Sequence, residues 1–185
     1  MAEASVLTAQ PSDAEEIARV QLETWRAAYT DLLPADVLDA LDPAEAALTW
    51  RRTIEDGPAR VFVAREGASV VGFCAAGPAP ADETAAASGT AAKDAATVAL
   101  VSTLLVEPRW GRRGHGGRLL ASAGEAMLAE GATRGIAWVP EADKASVSFL
   151  ERATWVRDGT VRTLDAGGRP LREIRLTGTL RIELV

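Results

Sequence analysis

Apolar positions along the chain switch between two periods. Ala18, Leu22, Trp25 and Tyr29 recur at helical spacing. Ahead of them, Ser12-Asp13-Ala14-Glu15 has the capping-box form, a serine with a glutamate three residues on, so a helix is predicted from near Asp13 to about Ala28. It stops before Leu32-Leu33-Pro34, where the proline disfavours helix at the preceding residue. A second helical region follows, roughly Ala35 to Ile54, broken near Pro43. The period then changes. Arg60–Arg65 and Ser69–Ala75 are rich in strand formers and are separated by Glu66-Gly67-Ala68, a hairpin signal.

Residues 77–96 are rich in Ala, Pro, Gly and Ser with no periodicity, and read as a long, mobile loop. A strand over Thr97–Val106 follows. Leu119, Ala123 and Met127 fall four apart with Leu120 and Leu128 beside them, an amphipathic helix that ends at Gly131. Then come a strand at Gly135–Val139 and a short helix from about Asp143 to Ala153, with Asp143 as its cap. Trp155–Leu164 and Leu171–Leu180 form a closing hairpin about Asp165-Ala166-Gly167-Gly168. The predicted order is mixed α/β, without internal repeat, in a single domain over residues 1–185.

Between the strand ending at Val106 and the helix carrying Leu119 lies Pro108-Arg109-Trp110-Gly111-Arg112-Arg113-Gly114-His115-Gly116-Gly117-Arg118. A helix start presents unpaired backbone N–H groups and the positive end of the helix dipole. Glycines let an anionic ligand approach those groups, and Arg112, Arg113 and Arg118 add positive charge, so the turn reads as a pyrophosphate cradle. A plain strand-to-helix connection with a solvated basic rim is the competing reading.

Composition narrows the class. The chain has 185 residues and a formal net charge of −6, which argues against a nucleic-acid surface. No apolar run approaches the roughly 20 residues that span a bilayer. Met1-Ala2-Glu3-Ala4 carries acid where a signal peptide needs basic residues, so a cytoplasmic setting is expected. The single cysteine, Cys74, lies in an apolar strand pattern and reads as packing. Asp31, Asp36, Asp39, Asp42 and Glu45 form either a solvated helix face or an acidic mouth that attracts an amine.

The element order and the glycine turn together resemble the GCN5-related N-acetyltransferase (GNAT) family. Leu105-Val106-Glu107-Pro108 matches its strand end and Arg112-Arg113-Gly114-His115-Gly116-Gly117 its loop. The stretch from Asp143 through Phe149-Leu150-Glu151-Arg152 to Ala153-Thr154-Trp155 is similar to its second motif. Val20–Tyr29 with Leu32-Leu33-Pro34 is similar to the first helix of many bacterial members. The resemblance implies a largely antiparallel sheet of about seven strands with four helices, splayed between strands 4 and 5. It implies an acetyl-CoA-dependent N-acetyltransferase acting on a small-molecule or peptide amine by direct attack in a ternary complex, with no metal. On this resemblance the backbone of Leu104, Leu105 and Val106 bonds the pantetheine arm, the N–H groups of Arg112, Arg113, Gly114, His115, Gly116 and Gly117 hold the pyrophosphate, and Asp143 sits near the cofactor. Trp25 and Tyr29 line the acceptor pocket, and the C-terminal strands could support a homodimer.

The chain departs from the family pattern in three places. Gly111 stands where the loop usually opens with Gln or Arg. Leu150 replaces the tyrosine that often acts as general acid, and the strand Val98–Leu104 lacks the glutamate many members use as base. Glu107 and Glu141, at strand ends near the expected cleft, are the candidate bases; His115 is expected to pack under the turn. An alternative is a binding module of the same fold that keeps the acyl-CoA cradle without turnover, a sensor or partner protein. A Rossmann site is excluded by the glycine spacing, and a P-loop by the absence of Gly-Lys-Ser/Thr after the turn.

Overall fold

The computed structural model describes residues 4–183; residues 1–3 and 184–185 of the expected span lie outside it. Seven strands form one mixed sheet in the order β1-β2-β3-β4-β5-β7-β6. The strands are β1 (Ala4–Thr8), β2 (Arg60–Glu66), β3 (Ser69–Pro78), β4 (Val98–Val106), β5 (Arg134–Pro140), β6 (Val156–Ala166) and β7 (Arg169–Gly178). Every pairing is antiparallel except β4 with β5, which is parallel and is bridged by a helix. Five helices cover the sheet: α1 (Ala14–Ala28), α2 (Ala35–Asp39), α3 (Pro43–Asp56), α4 (His115–Ala129) and α5 (Lys144–Arg152).

Central strands alternate in side chain but are buried on both faces. Val61, Val63, Phe73 and Ala75 face Ile17, Ala18 and Leu22 of α1 and Trp50 of α3. Phe62, Ala64, Cys74 and Ala76 face Leu119, Leu120, Ala123 and Met127 of α4. Burial pushes the Cys74 thiol up to about 12, so it packs as a small apolar group.

Two local details differ from the sequence reading. The box at the start of α1 is not Ser12 with Glu15. A 3-10 turn at Pro11–Asp13 precedes the helix, and Asp13 Oδ2 accepts the Gln10 N–H at 2.8 Å while pairing with Arg65. Residues 77–96 also carry more structure than their composition announces. β3 runs to Pro78, a 3-10 turn forms at Ala81–Thr84, and Thr84 is buried. Arg175 donates to the Glu83 carbonyl, and Arg134 holds Asp94 at 2.7 Å. The Asp94–Arg134 hydrogen bond holds that carboxyl below its usual range.

The feature that makes a site is the separation of β4 from β5. Their pairing covers only Val98–Leu100 against Arg134–Ile136. β4 continues to Val106 and β5 to Pro140, so their facing edges open from Val101 and Ala137 onward. A register shift in the β3–β4 ladder near Ser102 marks the same point, and a bulge bends and twists its strand.

Candidate active site

Between the opened strands lies a cavity of about 460 Å³. Val101–Leu105 of β4 and Ala137–Pro140 of β5 form its sides, and Ser146, Phe149 and Leu150 of α5 close one face. Trp25, Tyr29, Leu33 and Val37 come from the α1–α2 region, and Asp165, Ala166, Gly167, Leu171 and Glu173 from the β6–β7 hairpin. Leu104, Leu105, Trp25 and Tyr29 therefore share the lining of one cavity, and Val106 is not among the lining residues.

At the cavity's margin the glycine turn forms a ring of donors. A 3-10 turn at Pro108–Trp110 leads into Gly111. Arg112 (φ 59°) and Gly114 (φ 81°) then both adopt left-handed conformations, the alternation that turns successive N–H groups to one side. The first bond of α4 runs from the Arg118 N–H to the Gly114 carbonyl at 3.1 Å. Among the described residues, no backbone acceptor takes the N–H groups of Arg112, Arg113, Gly114, His115, Gly116 or Gly117. An added Cβ at Gly116 would meet Phe149 Cε2 at 3.2 Å, so the helix start is pressed against α5. These donors suit a diphosphate: they carry fixed partial charge at a helix N-terminus with few side chains in the way.

His115 is 2% exposed and turned under the loop, where Nε2 lies 2.8 Å from Glu66 Oε2. Arg113 also reaches Glu66, at 3.3 Å, and stacks 4.7 Å from the Trp110 ring. Glu66 thus anchors both sides of the cradle from the end of β2.

The candidate bases stand elsewhere. Glu107 is 2% exposed and is held between Arg19 of α1 and Arg109, so its carboxylate is a structural anchor away from the cavity lining. Glu141 pairs with Arg172 at 2.8 Å on an open surface and does not line the cavity either. Asp143 is engaged within the protein: Oδ1 caps α5 by accepting the Ser146 N–H at 3.0 Å, and Oδ2 accepts from Ser146 Oγ at 2.7 Å and from the Tyr29 hydroxyl at 3.1 Å. Burial, and then the charge of Asp143, hold the Tyr29 hydroxyl well above the usual phenol range. Its proton is committed to Asp143, which makes Tyr29 a poor acid for a departing group.

Glu173 carries little local sequence signal as a site residue. It lines the cavity, is 8% exposed, and accepts from Arg162 Nε at 2.6 Å. Arg162 in turn lies 4.3 Å from the Trp138 ring. The pattern Leu171-Arg172-Glu173-Ile174-Arg175 looks like an exposed strand, and only the alternation of Leu171, Glu173 and Arg175 on one face hints otherwise.

The sheet is thus open and mixed, splayed between its two parallel strands beside a helix start whose N–H groups have no backbone acceptor. The chain belongs to the acetyltransferase (GNAT) family, whose model matches residues 17–154. It is 30% identical over 146 residues to YuaI of Bacillus subtilis (strain 168), described as an uncharacterised N-acetyltransferase, a match covering 78% of this chain and 76% of that one. Its fold is similar to that of the PaiA N-acetyltransferase of Thermoplasma acidophilum in complex with coenzyme A (TM-score 0.71, 14% identity, 96% of this chain and 99% of that one). It is also similar to yncA of Salmonella typhimurium with its cofactor acetyl-CoA (TM-score 0.67, 15% identity, 98% and 96%). Among the described residues no group of three or more His, Cys, Asp or Glu is placed to hold a metal ion, and no helix is long and apolar enough to cross a membrane.

Proposed function

We propose that the chain is an acetyl-CoA-dependent N-acetyltransferase that passes acetyl to a primary amine by direct attack in a ternary complex. The observation that carries this reading is the meeting, at one cleft, of an opened β4 edge and six acceptor-free N–H groups at the start of α4. The relatives solved with coenzyme A and acetyl-CoA share that fold. Bound there, acetyl-CoA supplies the acetyl group as an activated thioester.

The chain's own residues do the rest. Arg112–Gly117 would hold the pyrophosphate through backbone N–H groups, which tolerates Gly111 where a side chain is usual. The open edge of β4 from Leu104 to Val106 offers unpaired main-chain groups to the pantetheine amides, in the manner of an added strand. Apolar walls from Leu104, Leu105, Val139, Phe149 and Leu150 keep water from the reacting end. Alignment of the two reactants, with β4 N–H groups available to a carbonyl, accounts for most of the acceleration. Tyr29 and Asp143 fix the end of α1 against the start of α5 and so set the cavity's width. Proton transfer runs through water at the cavity mouth, since Leu150 offers no acid and Tyr29's proton is held.

Leu150 also favours a second reading, an acyl-CoA-binding module without turnover. One experiment separates the two. Thermal-shift and calorimetric titration with CoA, NAD and ATP is followed by an assay of thiol release from acetyl-CoA over an amine panel. Binding of CoA with amine-dependent thiol release supports the transferase. Tight CoA binding without transfer to any amine supports the module, and stabilisation by NAD but not CoA overturns both.

A further inference from the structure

The end of the cavity away from the glycine turn carries charge of one sign. Among all the lining residues the only charged ones are Asp165 and Glu173, with no lysine or arginine. Asp165 is occupied within its turn, where Oδ1 accepts the Gly168 N–H at 2.6 Å. Glu173 gives Oε2 to Arg162, and its Oε1 takes no hydrogen bond from another described residue. Behind it, Arg162 also lies 3.4 Å from Glu83, and Arg175 pairs with Asp158 at 2.6 Å. Three carboxylates thus face two guanidinium groups, and one negative charge is left over. Tyr29 contributes only lone pairs, because its single proton goes to Asp143. The carboxylates and the Tyr29 oxygen at this end accept, and the indole N–H groups of Trp25 and Trp138 are donors in the same lining.

Its apolar walls are aromatic and aliphatic. The Trp25 and Tyr29 rings stack at 6.1 Å, with Leu33, Val37 and Leu171 beside them. The wall is also continuous. At the tip of the β6–β7 hairpin, Gly167 (φ 66°) packs on α2 so closely that an added Cβ would fall inside the Val37 side chain, with Pro34 Cγ 3.9 Å away. Hairpin and helix meet there, which narrows this side of the cavity.

We propose that this end of the cavity takes a small, singly charged primary amine on an apolar or aromatic body, and that Glu173 selects its charge. The inference rests on the acetyltransferase reading and narrows its acceptor. An ammonium group satisfies Glu173 Oε1 and the Tyr29 oxygen together, while a carboxylate beside the amine would face like charge.

Calorimetric titration tests this without turnover. 2-Phenylethylamine, 2-phenylethanol, phenylalanine and a lysine-containing hexapeptide are each titrated into protein saturated with CoA. The expected result is a preference of about tenfold or more for 2-phenylethylamine over the other three. Glu173→Gln is expected to lose about tenfold in amine affinity with CoA affinity unchanged, and Tyr29→Phe to lose less. Equal binding of amine and alcohol, tighter binding of phenylalanine or the peptide, or full amine affinity in folded Glu173→Gln overturns the proposal. Should Glu173→Gln not fold, the wild-type ligand order and Tyr29→Phe decide. Failure of CoA itself to bind would instead overturn the acetyltransferase reading.

Discussion

The hydroxyl of Tyr29 donates to Asp143 Oδ2 at 3.1 Å, joining the end of α1 to the cap of α5 across 114 residues of sequence. Both helices border the cavity, so this bond sets the spacing of its two sides. Tyr29 is the only tyrosine, which makes its ionisation directly visible. Its folded value is raised above the ordinary 10.0, so the neutral phenol is favoured in the native state. That contribution to stability is complete below pH 10.0 and is lost as pH rises beyond it toward the folded value. Absorbance at about 295 nm should show no tyrosinate while the protein stays folded near the ordinary phenol value. Asp143→Ala should bring the transition down and cost about 1 kcal/mol through loss of the α5 cap.

At the glycine turn, Gly114 holds φ 81°, a conformation that costs a β-branched side chain about 1–2 kcal/mol. Gly114→Val should lower stability by that amount in a denaturant titration. Its strain distorts the donor ring, so CoA affinity measured by calorimetry should fall about tenfold or more. Unchanged CoA affinity would place the pyrophosphate elsewhere.

Glu107 anchors Arg19 and Arg109 from a site that is 2% exposed. Replacing it by glutamine removes the charge and sets an amide NH2 against one of the two guanidinium groups, and about 2 kcal/mol of stability should be lost. The pH profile of kcat should keep its shape. Loss of the profile's acidic limb in a folded Glu107→Gln protein would restore Glu107 as a base.

His115 fills the space beneath the cradle against Glu66 and does not line the cavity. His115→Ala leaves a void there, with an expected cost of about 2 kcal/mol and weaker CoA binding. KM for the amine should be little changed, a split that steady-state kinetics resolves.

What could be read from the chain was what local sequence decides. The glycine turn, the Asp143 cap and the Gly167-Gly168 hairpin depend on a few neighbouring residues, and each stands where the pattern places it. What could not be read depends on distant partners. Glu107 and Glu141 sit at strand ends as a base would, but Arg19, 88 residues away, and Arg172 claim them. Glu173 looks solvated until Arg162 pairs with it and Arg175, two residues on, pins the segment carrying Glu83. The same long-range contacts organise residues 81–97, whose composition carries no periodicity.

The most direct measurement is a crystal structure with coenzyme A. The pyrophosphate is expected on the N–H groups of Arg112–Gly117, the pantetheine arm along Leu104–Val106, and the sulfur facing the cavity that Tyr29 and Glu173 line. A pyrophosphate bound away from the glycine turn, or an arm lying outside the β4–β5 opening, would contradict that placement.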